Sequence, residues 1–165
     1  MSTKQTPLKR HPGLIPLSKE HHFGLLLVWK IRQGINFKVD PERIGKYVLH
    51  FFQHDLEEHF KSEENQVFNK MPEKDPLILQ AIAEHEKLYD IIHQLKSGSV
   101  STASLEEFAE LLEKHIRFEE RHLFPHLQNT LTDETLVSLQ KELEMQHANC
   151  EIPWEDEFWI KNDSD

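Results

Sequence analysis

The sequence predicts an all-α protein, an up-down-up-down four-helix bundle with an additional C-terminal helix. Three observations carry that expectation. The 165 residues include only 5 Gly, few for a β-rich chain, which needs glycine in its turns. Long segments repeat apolar residues at three- and four-residue spacing, the period of an amphipathic helix. Cap signals precede these segments, and Gly or Pro follows several of them. The length suits one domain with enough chain to bury a core.

The elements follow in order. Residues 1–16 hold three prolines and read as an extended arm. The bundle is expected over 17–150, with an acidic, aromatic tail at 151–165. A first helix starts at the N-cap Ser18 and stops at Gly34, with a buried stripe of Leu17, His21, Leu25, Val28, Ile31 and Ile35. Asp40-Pro41 starts the second helix, since proline suits the first helical position. That helix runs to about Lys70 and is stopped by Pro72; its stripe is Ile44, Val48, Phe52, Leu56, His59, Glu63 and Val67. Asp75-Pro76 repeats the start signal. The third helix carries Leu77, Ala81, His85, Leu88, Ile92 and Leu95, and ends at Ser97-Gly98-Ser99. Ser104-x-x-Glu107 reads as a capping box for the fourth, which buries Phe108, Leu111, Leu112, His115 and Glu119 before Pro125 bends or ends it. A fifth helix, from about Thr132 to Met145, is amphipathic through Leu136, Leu139 and Leu143 and is expected across the end or side of the bundle. Short connections make sequential helices antiparallel.

Charge and composition exclude several functions. A net charge of −10 and a pI near 5.6 oppose nucleic-acid binding, which needs a positive face. One cysteine, Cys150, excludes an internal disulfide and a Cys-rich zinc site. The longest wholly apolar run, Leu25–Trp29, is far too short to span a bilayer. Met1–Pro16 lacks the apolar stretch of a secretory signal. A soluble, cytoplasmic protein is expected, with no membrane partner. The Leu25–Trp29 run suits burial on several faces or a homodimer surface, and Trp154, Phe158 and Trp159 suit packing on the bundle or a protein partner.

The 12 histidines are the feature to explain. Two segments align without gaps: His59-Phe-Lys-Ser-Glu63-Glu64-Asn-Gln-Val-Phe68 and His115-Ile-Arg-Phe-Glu119-Glu120-Arg-His-Leu-Phe124. They fall on the second and fourth helices. The first and third share Glu20-His21 and Glu84-His85. The chain therefore repeats a two-helix unit. Residues i and i+4 share a helical face, with Cβ atoms roughly 5–6 Å apart, so His59 can meet Glu63, and His115 can meet Glu119. Both pairs lie on apolar stripes. A carboxylate in an apolar core neutralises or finds a cation. Two inward carboxylates and four inward imidazoles exceed the needs of one tetrahedral zinc and suit two ions, with coordination positions left for water or a small ligand.

At these residues the sequence resembles the hemerythrin-like (HHE cation-binding) family over roughly residues 17–128. Its most specific match is His115-Ile-Arg-Phe-Glu-Glu-Arg-His-Leu-Phe-Pro125. The resemblance implies a four-helix bundle around a non-haem, carboxylate-bridged di-iron centre, with iron favoured over zinc or manganese. Its implied ligands are His21, His59, Glu63, His85, His115 and Glu119, with Glu63 and Glu119 bridging. Oxygen-carrying relatives have a further histidine one turn after the third-helix ligand; here that position is Tyr89. This weakens the expectation of oxygen carriage. It leaves binding of, or reaction with, a small diatomic ligand or peroxide in sensing, storage or protection. A di-iron oxidoreductase and a metal-dependent regulatory or interaction module remain as alternatives.

Several residues stay open in the sequence. His21 fits the first stripe, and His22 would replace it only on a rotated helix. Glu20, Glu64, Glu84 and Glu120 suit either solvated faces or the outer sides of ligand imidazoles. His122 and Tyr89 lie near the ligand stripes. His50, His54, His93, His126 and His147 read as surface or packing residues. Phe51, Phe52, Phe60, Phe118 and Phe124 read as core that would limit water access to the metals.

Overall fold

The computed structural model describes residues 9–146 and 153–161, the side chain of Gln146 apart. His147 and Cys150 lie outside the described residues. Every regular element among the described residues is helical. The α-helices are α1 (Ile15–Asn36), α2 (Pro41–Phe51), α3 (Glu57–Ser62), α4 (Pro76–Lys96), α5 (Thr102–Phe118), α6 (Phe124–Thr130) and α7 (Asp133–Gln146). Helices α2 and α3 belong to one rod, 41–70, and α5 and α6 to another, 102–130. With α1 and α4 these make four rods. Their contacts close a ring: α1 on α2, α2 on α4, α4 on α5 and α5 back on α1.

The start signals at Asp40 and Asp75 act as expected. Asp40 accepts from the Glu42 amide, and Asp75 from those of Leu77 and Ile78, with proline in the first turn of each helix. Three boundaries differ from the sequence reading. The first helix begins at Ile15, with Pro16 in its first turn, and a 3-10 turn at Pro12–Leu14 precedes it. The described part of the arm is thus folded, and it anchors the fully buried Leu14. Gly34 does not stop α1. It lies inside the helix because Phe158 and Ile44 press on it, and a Cβ there would sit 2.8 Å from the Phe158 ring. Chain reversal falls instead at Lys38, with φ of 58°. The capping box of α5 is Ser101 with Ser104, each side chain bonding the other's amide at 3.1 and 3.0 Å. Serine at the third position replaces the glutamate expected one turn later.

The second and fourth rods contain π turns that periodicity does not show. They are Phe52–Leu56, Glu63–Val67 and Glu119–Leu123. The last two start at equivalent positions of the repeat. The amide of Phe68 bonds Glu63 O, and that of Phe124 bonds Glu119 O. Pro125 does not end the fourth rod. It lies in the first turn of α6, and the carbonyl of Glu120 in the turn before it accepts from Arg10.

Two apolar clusters form the core. One includes Leu27, Ile31, Ile44, Val48, Leu88, Leu112 and Phe158. The other includes Leu14, Leu17, Val67, Ala81, Leu123, Phe124 and the α7 side chains Leu136, Leu139 and Leu143. Helix α7 lies against Pro12–Leu14 and α1. The tail packs back on the first cluster through Phe158, with Trp154 and Trp159 half-buried beside Tyr47. Of the Leu25–Trp29 run, Leu27 and Val28 are buried while Trp29 is 48 % exposed. No helix among the described residues is long and apolar enough to cross a membrane.

Candidate metal centre

The two apolar clusters are separated by a polar layer. On α1 it falls between Leu17 and Leu27, on the second rod between Leu56 and Val67, on α4 between Ala81 and Leu88, and on the fourth rod between Leu112 and Leu123. It consists of His21, His59, Glu63, His85, His115 and Glu119, all buried, with both carboxylates fully so. His22 is exposed, so the rotation of α1 selects His21. His122 is exposed too and does not enter the layer.

The six side chains converge as two sets of four. His21, His59, Glu63 and Glu119 bring ligand atoms within 4.8 Å of one another, and so do Glu63, His85, His115 and Glu119. Both sets use the same two carboxylates. Glu63 Oε1 lies 3.1 Å from His59 Nε2 and 3.3 Å from His85 Nε2. Glu119 Oε1 lies 3.1 Å from both His21 Nε2 and His115 Nε2.

The outer imidazole nitrogens meet the four glutamates that the sequence left open. His21 Nδ1 donates to Glu120 Oε1 at 2.8 Å, His59 Nδ1 to Glu20 Oε2 at 3.2 Å, and His115 Nδ1 to Glu84 Oε1 at 2.8 Å. Glu64 Oε2 stands 3.7 Å from His85 Nδ1, an ion-pair distance without a hydrogen bond. The pattern follows the repeat. The glutamate beside each histidine of α1 or α4 serves the next rod, and the second glutamate of each Glu-Glu pair serves α4 or α1. Outer carboxylates of this kind fix imidazole orientation, turning Nε2 toward the centre of the layer. The aromatic walls repeat as well: Phe68 lies parallel to His85 at 6.0 Å and Phe124 to His21 at 5.2 Å. Phe60 adds a stacked contact to His85 at 4.1 Å and an edge contact to His115. Tyr89 packs on Phe52 and Phe60, and burial, with Glu57 and Glu64 nearby, pushes its phenol up to about 12.

Electrostatics show what the layer lacks. Burial pulls the His115 imidazole down, but the charge and hydrogen bond of Glu119, the hydrogen bond to Glu84 and the charge of Glu63 raise it to about 10. His21, His59 and His85 are raised in the same way, against burial, by the carboxylates at both ring nitrogens. Burial pushes Glu119 up, but the charge of His115 and the hydrogen bonds of Glu63, His115 and His21 together outweigh it, so its carboxyl is held well below the usual range. The protein alone therefore balances its buried carboxylates with protons on imidazoles. Even so, Glu63 Oε1 and Oε2, Glu119 Oε2 and His59 Nε2 are buried without a hydrogen-bond partner. Polar atoms that converge in a dry core with incomplete hydrogen bonding fit cations.

The profile of the hemerythrin HHE cation-binding domain matches residues 29–127. The chain belongs to the hemerythrin HHE family. The matched segment contains five of the six converging residues; His21 lies before it, and α1 brings it to the layer. The HHE assignment accounts for two buried carboxylates that face four imidazoles across four rods, and it makes the chain a cation-binding one. Curated proteins and solved structures give no match.

Proposed function

We propose that this chain is a non-haem di-iron protein whose centre binds or reacts with a small ligand such as oxygen, nitric oxide or peroxide, in sensing, storage or protection. The observation that carries this reading is the sharing of Glu63 and Glu119 by two ligand sets. His21 and His59 would hold one ion, His85 and His115 the other, and the two carboxylates would bridge them. Imidazole with carboxylate suits iron, which supplies a redox-active Lewis acid when bound. Protein residues shape the surroundings. Phe60, Phe68 and Phe124 wall the imidazoles, while Glu20, Glu84 and Glu120 accept their Nδ1 protons. Tyr89, in place of a further histidine, favours sensing or small-molecule handling over reversible oxygen carriage.

The test is metal analysis with the optical spectrum of the oxidised protein, before and after azide or nitric oxide. The expected result is two iron ions per chain, one for each ligand set, with a near-ultraviolet charge-transfer band that changes with the added ligand. Fully folded protein that stays metal-free after expression with iron would refute the reading. A zinc-loaded, spectrally silent protein would refute iron.

A further inference from the structure

The four outer glutamates are not held alike. An arginine from outside the repeat reaches Glu120. Arg10 Nη2 donates to Glu120 Oε2 at 2.9 Å and to its backbone oxygen at 2.7 Å. Its Nη1 donates to Gln128 Oε1 at 3.0 Å. Its guanidinium also sits 5.1 Å from the centre of the Phe124 ring, which stacks on His21. Arg10 therefore reaches His21 through two neighbours, a hydrogen-bonded carboxylate and a stacked ring. Among the described residues no lysine or arginine pairs with Glu64 or Glu84. Glu64 is also the glutamate that stands off, at 3.7 Å from its imidazole.

Arg10 is delivered by a braced strap. The Gln128 amide nitrogen donates to Lys9 O at 3.0 Å, and the His11 amide donates to Gln128 Oε1 at 3.1 Å. His11 Nδ1 accepts from the Gly13 amide, and its Nε2 pairs with Asp133 at 2.7 Å. Gly13 lies so close to α7 that a Cβ would collide with Leu136 O. These bonds tie residues 9–13 to α6 and α7 on either side of Arg10.

We propose that Arg10 is a positioning residue for one of two metal positions: it holds Glu120 against His21 Nδ1, and so strengthens the position formed with His59 without acting on the one formed by His85 and His115. The inference rests on the two-ion reading above. Loss of an outer-shell partner weakens metal binding about 10–100-fold. Glu120 is 29 % exposed, so without Arg10 it is free to turn to water and release the imidazole.

The test uses the full chain and zinc, a diamagnetic probe. Zinc uptake is followed by calorimetric titration, and the Nδ1–H signals of the four imidazoles by NMR. In Arg10→Gln one binding step should weaken about 10–100-fold while the other stays, and the His21 Nδ1 proton should lose its protection from exchange. Arg10→Lys keeps the charge but cannot span Glu120 and Gln128 together, so it should recover only part of the affinity. Gln128→Ala, which leaves the arginine but removes one anchor, should weaken the same step less. Arg43→Ala removes an exposed pair with Asp156 and should move neither step. Unchanged affinity and a protected His21 proton in Arg10→Gln would overturn the role of Arg10. Full recovery with lysine, or tighter binding without arginine, would show that charge rather than positioning acts, and would also overturn it. Wild-type protein that takes up no more than one zinc ion would instead overturn the two-ion reading.

Discussion

His85 Nε2 and His115 Nε2 stand 3.1 Å apart in the buried layer. Two nitrogens each about 2.1 Å from one ion and at a right angle to one another are separated by about 3 Å, so the pair already has the spacing of two neighbouring ligands in octahedral geometry. Replacing one of them should therefore do more than open a cavity. His115→Ala is expected to lose metal and leave Glu119 without its strongest cationic partner. Stability should fall by about 3–5 kcal/mol if the carboxylate stays charged. Metal content and urea denaturation of the loaded protein check this. Full metal load with an unchanged midpoint would remove His115 from the ligand set.

The pH dependence of the metal-free protein has a definite sign. His115 is raised to about 10 in the folded chain against about 6.5 unfolded. A raised imidazole contributes stability that is fully present below the unfolded value and is lost as pH rises through the folded one. Metal-free protein should thus weaken between about pH 7 and 10. Loaded protein should not show that loss, because the metal takes the place of the proton on the ligand nitrogen. Denaturation midpoints across this range, with and without chelator, decide it.

Glu84 illustrates a role that its own helix does not reveal. It holds His115 Nδ1 at 2.8 Å across the bundle and is itself braced by Gln80 at 3.1 Å. Glu84→Gln keeps the shape but removes the charge that supports the imidazole as a ligand. Metal affinity should fall about 10–100-fold with little change in fold. A chelator competition assay reads the affinity, and far-ultraviolet circular dichroism reads the helix content. Equal affinity would reduce Glu84 to a surface charge.

The six converging residues were legible because the chain writes them twice, on stripes whose neighbours are apolar. The partners of Glu20, Glu64, Glu84 and Glu120 were not. Adjacent residues on a helix diverge by about 100°, so each of these points away from its own ligand histidine or carboxylate and toward a neighbouring rod that spacing alone does not locate. Ser101 and Ser104 stand three apart, and each could open a cap; the choice depends on which serine reaches the other's amide. Arg10 lies in a proline-bearing segment without periodicity, and the packing of α7 on Pro12–Leu14 with the bonds of Gln128 brings it to Glu120. The π turns were hidden because a shift in hydrogen bonding has no residue signature. The order Glu119, Leu123, Phe124, Leu127, all buried, hints at an extra residue only in retrospect.

The tail should contribute to stability without touching the metal layer. Phe158 is 4 % exposed against Gly34, Ile44 and Tyr47. Gly34 lies thirteen residues along α1 from His21, roughly 20 Å of helix. Phe158→Ala should cost about 3 kcal/mol, the lower range for a buried phenylalanine, and leave the metal-to-chain ratio unchanged. Parallel measurement of the denaturation midpoint and metal content tests both halves. A lost ion would show that the tail supports the centre at a distance.

The π turn after Glu119 gives a prediction that a substitution cannot. Arg121 lies within Glu119–Leu123 and is exposed, so Arg121→Ala should change stability by no more than about 0.5 kcal/mol. Deleting Arg121 tests the turn itself. A π turn uses one extra residue on a turn of helix, so without that residue the rod can close to α geometry with Phe124, Leu127 and Gln128 kept on their faces. The deletion should therefore keep this end of the bundle folded, with a denaturation midpoint close to that of Arg121→Ala. A collapse of the midpoint together with loss of zinc binding would show that the rod does not tolerate regular α geometry there.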